Sequence, residues 1–313
     1  MEKPMAQPPT QRDFVGYGET PPEFRWPGNA RVAVSLVINV EEGAERSIAR
    51  GDKADDLAAH WIPAQPAAAR NITLESAFEY GSRAGIWRLL RILRKHGVQA
   101  TAFCCAVALQ LNPPIAAALV RDGHEIADHG HQWDTHTDLD DDAEQRLIVA
   151  SRDAIKESTG HVPTSWYSRD GLKPGTRQVL AANGFAYESN SFNDDLPHWG
   201  SGQGNPRLPV LPYAGDTNDS GLFKQFPTAT AFGNHLTAAL DMLLEDPRGG
   251  PSVMSVGLHP RLIGRPAYAV ALERFISHAR HKDVWFATRA DIVNAWLHVT
   301  TAEQTTAGGS PAS

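Results

Sequence analysis

Residues 31–40 (RVAVSLVINV) are an unbroken, largely β-branched apolar run placed directly after Pro27-Gly28, the pattern of a strand buried on both faces. Residues 82–96 follow another rhythm. Ile86, Leu89, Leu90 and Leu93 recur at spacings of three and four and Gly97 supplies a stop, which predicts an amphipathic helix. The alternation continues with strand 98–105, helix 113–122, strand 124–127, helix 143–159, strand 162–167, helix 174–183 and strand 185–187. A short strand near 208–211 follows, then helix 229–244, strand 252–258, helix 267–281, strand 284–286 and helix 289–296. Strands alternating with helices predict a parallel sheet. No Gly-rich phosphate turn follows the first strand, so the seven or eight strands predict an α/β fold of the (β/α) barrel type rather than a doubly wound open sheet. Segments 42–73 and 189–206 are too irregular to assign, and long loops of this kind often carry function.

The pattern divides the chain into an N-terminal arm (1–30), a single catalytic barrel domain (31–298) and a flexible Thr/Ala/Gly/Ser-rich tail (299–313). Composition changes this picture little: 42% of the 313 residues are apolar and 21% charged, as in ordinary globular chains. The formal net charge of −7, without a basic run, argues against nucleic acid as a partner. The two cysteines, Cys104 and Cys105, are adjacent, too close for an unstrained disulfide, and lie in an apolar run, which suits a reducing compartment. The first nine residues lack a basic segment followed by an apolar stretch, and no window approaches the roughly 18 apolar residues that span a bilayer. A cytoplasmic protein without membrane contact is expected.

The chemistry-bearing residues are distributed by position. Glu41 and Glu42 follow the first strand, His129 follows the strand ending near Asp128, Trp166 and Tyr167 close the strand from Val162, and His259 follows strand 252–258. In a parallel barrel the strand ends share the face on which barrel enzymes build their sites. An adjacent carboxylate pair there reads as a base plus a metal ligand, or as two surface acids. Trp133, Trp166 and Tyr167 either wall a pocket or pack at the rim, and Asp194 and Asp195 either orient a polar substrate or cap a turn.

The fragments NVEEG (39–43), GHEIADHG (123–130) and GLHP (257–260) resemble, in order, the first, second and last motifs of the polysaccharide deacetylase (NodB-homology) superfamily. RDFVGYGETPPEFRWPG, FEYGSRAGIWRLL, SFNDDLPHW, LHPRLIGRPA and VWFATRADI are similar to its allantoinase-like (PuuE-type) branch. The resemblance implies a distorted (β/α)7–8 barrel and hydrolysis of a C–N bond by water. It puts Glu41 at the general-base position and Glu42 at the metal-ligand position, each one methylene longer than the usual Asp. Metal-dependent members carry His-Ser/Thr-x-x-His; here the first histidine is His129, but Trp133 stands four positions on and cannot ligate a metal. The branch resemblance implies chemistry without added metal. The alternative is a single divalent ion, Zn²⁺ first, held by Glu42, His129 and His136, with His131 a further nearby candidate.

For ring opening, Glu41 or Glu42 would activate water, His259 would protonate the departing nitrogen, and His129 would polarise the carbonyl or bind the ion. Backbone N–H groups near Trp166-Tyr167 are expected to serve the oxyanion, with Arg169 standing in for the third motif's arginine. Trp133, Trp166, Tyr167, Arg169, Asp195 and Arg265 are the expected substrate-binding side chains. The reading is a hydrolase opening a small cyclic amide or ureide, allantoin first. The alternatives are a cyclic imide hydrolase, a metal-dependent N-deacetylase of a polysaccharide or peptidoglycan, and an inactive ligand-binding homologue. The resemblance suggests a homotetramer with the arm 12–27 as an interface element. The chain departs from the branch at His131, Asn190 and Phe192, any of which can retune the pocket.

Overall fold

A computed structural model describes residues 12–56, 70–200, 207–213, 215–221, 228–247 and 249–307. The long apolar run forms β1 (Val32–Val40), buried along its whole length. Its residues alternate between faces. Val32, Val34, Leu36, Ile38 and Val40 join the large apolar cluster that packs the sheet against the helices. Val37 instead packs with Phe103, Ala127 and Tyr213, and Asn39 Nδ2 donates to Tyr213 Oη at 3.2 Å. The inward set therefore continues Val37, Asn39, Glu41, and the period-2 alternation of β1 aims the Glu41 carboxylate into the barrel.

After β1 come α1 (Ile72–Tyr80), a π-helical turn (Gly81–Gly85) and α2 (Ile86–His96). Next are β2 (Thr101–Cys104), α3 (Ala106–Leu111), α4 (Pro113–Arg121), β3 (Glu125–Asp128) and α5 (Asp141–Thr159). Then follow β4 (Ser165–Trp166), α6 (Thr176–Ala182), β5 (Tyr187–Glu188), β6 (His198–Trp199) and β7 (Pro209–Val210). The chain closes with α7 (Ala229–Glu245), β8 (Ser252–Leu258), α8 (Pro266–Ala279), β9 (Val284–Phe286) and α9 (Arg289–Ala307).

Among the described residues nine strands form one sheet, eight of them in the order β6-β7-β5-β4-β3-β2-β1-β8. The lower part of β1, Val32 to Val34, also pairs with β9, while Val37 to Val40 pair with β2. Every pair is parallel except β6 with β7. The sheet curls into a barrel that is left open between β7 and β8, so the expected barrel is a half-barrel in its hydrogen bonding. Loops line the open edge of β8. Val253 N donates to Asp195 O at 2.8 Å, Gly257 N to Thr217 O at 3.2 Å, and Thr217 Oγ1 to Ser255 O at 2.5 Å.

Beneath the site a buried arginine plugs the barrel. Arg289 donates to Ser189 Oγ, Ser255 Oγ and the carbonyls of Leu211 and Pro212. The arm packs against the lower end, where Trp26 Nε1 donates to Ser252 O at 3.0 Å. Two expectations change at the ends of the chain. The segment read as a loose tail from residue 299 continues α9 to Ala307, and the rest of the tail, like residues 1–11 of the arm, lies outside the described residues. Among the described residues no helix is long and apolar enough to cross a membrane.

Candidate active site

Strand ends bring Glu41, Glu42, His129 and His259 together, and a residue not singled out from the sequence, Arg261, completes the group. All five are between 1% and 6% exposed. Glu41 sits at the centre. Its Oε1 lies 3.1 Å from His129 Nε2 and 3.4 Å from His259 Nε2, and its Oε2 accepts from Arg261 Nη1 at 2.7 Å. Glu42 Oε1 accepts the backbone N–H of Arg261 at 3.1 Å and lies 3.5 Å from Arg261 Nη1. The guanidinium thus spans both carboxylates, with the rings of Phe78 and Trp133 each 5.2 Å from it.

Each imidazole is oriented by its other nitrogen. His259 Nδ1 is 2.5 Å from Asp219 Oδ1, while Asp219 Oδ2 accepts the backbone N–H groups of His259 and Ile263. His129 Nδ1 donates to the Tyr167 carbonyl at 2.7 Å, which turns Nε2 toward Glu41. Asp128 holds the turn beyond its strand by accepting from Gly130 N and Ser151 Oγ.

The electrostatics separate the two glutamates. Burial raises the pKa of any carboxyl, but at Glu41 the charges of Arg261 and His259 and the His129 hydrogen bond outweigh it and hold the group well below its ordinary range. At Glu42 burial dominates, the neighbouring Glu41 charge adds to it, and the carboxyl is pushed up to about 7. Burial works against a charged imidazole, yet the Glu41 and Asp219 carboxylates overcome it and raise His259 to about 9. Near neutral pH the site holds an ionised carboxylate, a carboxyl poised to exchange its proton, and an imidazolium. Paired groups pushed apart in this way are the usual mark of divided acid–base roles.

The helical wall reaches this close because of glycine. A side chain at Gly81 would overlap Glu42 Oε1, and one at Gly85 would overlap the Pro260 carbonyl just before Arg261. Both glycines lie in the π-helical turn, a feature frequent at functional sites. Gly81→Ala is therefore expected to leave the fold intact, since Ala favours helix, while displacing the Glu42 carboxylate and lowering kcat about 10²-fold. Circular dichroism alongside turnover checks this; unchanged kcat would remove Glu42 from the chemistry.

Not every expected residue arrives. Trp133 and Tyr167 do. Trp133 covers Arg261, and Tyr167 stacks on His129 at 5.1 Å and on Phe103 at 4.8 Å. Arg169 lies behind Trp133, its guanidinium 3.9 Å from that ring and Nη1 donating to Asp56 at 2.8 Å. Trp166 does not line the pocket: it is fully buried with Ile148, Leu180, Phe185 and Leu208, because β4 alternation turns it outward while Tyr167 faces in. Asp195 is bonded through its carbonyl to Val253 at the start of β8, five residues before Leu258 ends the strand and so roughly 17 Å from the His259 end. Arg265 stacks over Tyr80 at 4.2 Å and donates to the Arg261 carbonyl, buttressing the loop rather than reaching into it. The backbone N–H groups expected to serve an oxyanion are already used, Tyr167 N by Asp128 O and Ser168 N by Asn190 Oδ1. Asn190 also donates back to Ser168 O, which the usual acid there does not allow, while Phe192 is 64% exposed.

The ligand set Glu42, His129 and His136 is not assembled. His136 lies edge-on to Trp166 at 5.5 Å with Nδ1 4.0 Å from Glu144, and Glu42 faces Arg261. His131 has a buried Nδ1 with no hydrogen-bond partner, and no group of three His, Cys, Asp or Glu among the described residues is arranged to hold a metal. This donor set does not fit a divalent ion.

Comparison with known proteins places this geometry. The polysaccharide deacetylase family profile matches residues 68–187. A Schizosaccharomyces pombe protein named "Putative polysaccharide deacetylase" is 33% identical over 91% of this chain and 96% of its own. The crystal structure of a "probable Polysaccharide deacetylase" from Pseudomonas aeruginosa PAO1 is 41% identical, with a TM-score of 0.85 over 92% of this chain and 98% of that one. The crystal structure of PuuE allantoinase is 39% identical, with a TM-score of 0.86 over 93% and 98%.

Proposed function

The chain belongs to the polysaccharide deacetylase family, whose hydrolases act on carbon–nitrogen bonds, and from that premise we propose that it opens a small cyclic amide or ureide of the allantoin type. The observation that carries the reading is enclosure. Every acid–base group of the site is at most 6% exposed, which suits a compact ring taken wholly inside; a polymer needs an open groove along which the chain runs past. The similarity to PuuE allantoinase points the same way.

In this reading the ring lies between Trp133 and Tyr167. Glu42, its carboxyl poised near neutrality, takes a proton from water as the water oxygen attacks the ring carbonyl. Charge then develops on the carbonyl oxygen, and the Arg261 guanidinium, whose buried Nε has no hydrogen-bond partner, faces it. The C–N bond breaks as His259 delivers its proton to the leaving nitrogen. Glu41 does not accept the water's proton; its fixed negative charge keeps His259 protonated and Arg261 in place. Asp219 holds the imidazole by Nδ1 so that Nε2 faces the site.

The test is ring opening of allantoin by purified protein after exhaustive chelation, beside deacetylation of N-acetylglucosamine oligomers, since two of the relatives are named polysaccharide deacetylases. Turnover of the ring and none of the oligomers is expected. Turnover of the oligomers alone would overturn the reading, and activity on cyclic imides in place of ureides would move it to the neighbouring ring class.

A further inference from the structure

The centre of the site contains a side-chain cation where two carboxylates meet. Arg261 Nη1 lies 2.7 Å from Glu41 Oε2 and 3.5 Å from Glu42 Oε1, and the backbone N–H of the same residue donates to Glu42. Arg261 is 4% exposed and its guanidinium is flanked by Phe78 and Trp133. Two imidazole nitrogens, His129 Nε2 and His259 Nε2, approach the same Glu41 oxygen. Carboxylates and imidazoles are residue types that suit Zn²⁺ and similar ions, but with Arg261 in place these are not arranged to hold one.

We infer that Arg261 is a built-in cation that keeps divalent metal out of this site, and that its removal turns Glu41, Glu42 and His129 into a metal-binding centre. Two physical effects act together. The guanidinium bridges the oxygens a metal would take, so an ion has to displace a hydrogen-bonded partner that is covalently part of the chain. Its fixed charge also repels a further doubly charged ion in a poorly screened interior. A planar guanidinium held between aromatic faces loses little freedom in staying there, which favours it over a lysine in the same place.

The inference builds on the site proposed above but not on its substrate, so a failure to open allantoin leaves it standing. The test measures bound zinc after equilibrium dialysis against Zn²⁺ for the wild type, Glu42→Ala, Arg261→Ala, Arg261→Lys and the double variant Arg261→Ala/Glu42→Ala, with folding followed by circular dichroism. The expected result is one more equivalent of zinc in Arg261→Ala than in the wild type. That equivalent is lost in the double variant and is absent or weakly held in Arg261→Lys, which keeps the charge. Arg261→Ala that folds only when Zn²⁺ is supplied also supports the inference, because the ion then takes over the cation's place. Wild-type protein holding a zinc equivalent that Glu42→Ala abolishes overturns it. So does an Arg261→Ala protein, folded or not in the presence of Zn²⁺, that takes up no more zinc than the wild type.

Discussion

In the Glu41→Gln variant, turnover is expected to fall about 10²–10⁴-fold, the range for loss of a positioned acid–base function, although Glu41 is not assigned the base role. The cause is indirect. Glu41 is the carboxylate on which His129, His259 and Arg261 converge, and its charge is the first of the influences that raise His259 against the effect of burial. With a neutral amide in its place, His259 loses its proton at a lower pH and the general acid is missing across the alkaline half of the working range. Stability falls as well, because removing one partner from a buried charged set leaves the others uncompensated, at a cost of about 3–5 kcal/mol. Glu42 moves the same way: relieved of its neighbour's charge, it too gives up its proton at a lower pH. The measurements are kcat, thermal midpoint and the NMR titration of the His259 imidazole, the last of which needs no substrate. An imidazole still titrating near 9 in the variant would sink the account.

Part of this site is legible in the sequence because strand ends are. The buried run of β8 and the half-buried run of β9 have the bounds their apolar pattern predicts, and parallel pairing carries Glu41, Glu42, His129 and His259 to one face. What the pattern lacks is the other half of the site. Asp219 comes from a 3-10 turn, Asp219–Gly221, in the loop along the open edge of β8, where no periodicity announces it. Arg261 reads as an ordinary cation near the start of a helix; only Phe78 on α1 and Trp133 beyond β3 make it a buried one, and both reach it through tertiary packing. Helix α1 begins at the end of the segment 42–73 that reads as irregular and runs on to Tyr80, where no element is predicted. Trp166 fails for a simpler reason, since a single step along β4 separates the inward from the outward face, and a rim of aromatic residues gives no register.

The positions that disagree with metal-dependent relatives make sense together. Trp133 stands where a second ligating histidine belongs, and its ring covers the guanidinium of Arg261. The aromatic residue at the ligand position thus also covers the buried cation. In the proposed reading the acid–base chemistry is set by Glu42 and His259, and this has a direct consequence for pH dependence.

For the wild type, kcat/KM is expected to rise with pH through about 7 and to fall through about 9. The rising limb belongs to Glu42, which accepts a proton only when ionised and whose pKa burial and Glu41 push up to about 7. The falling limb belongs to His259, which donates only when protonated and which Glu41 and Asp219 hold at about 9 in spite of burial. Below the first value the base is occupied and above the second the acid is spent, so activity is greatest between them. Glu42→Gln is expected to abolish the rising limb and lower turnover about 10²–10⁴-fold; His259→Ala should remove the falling limb. The alternative assignment, Glu41 as base, makes a different forecast. A carboxylate held well below its ordinary range stays ionised throughout, so the rate would remain flat from pH 7 down to pH 5. A pH series across that interval therefore decides which of the two adjacent glutamates takes the proton from water.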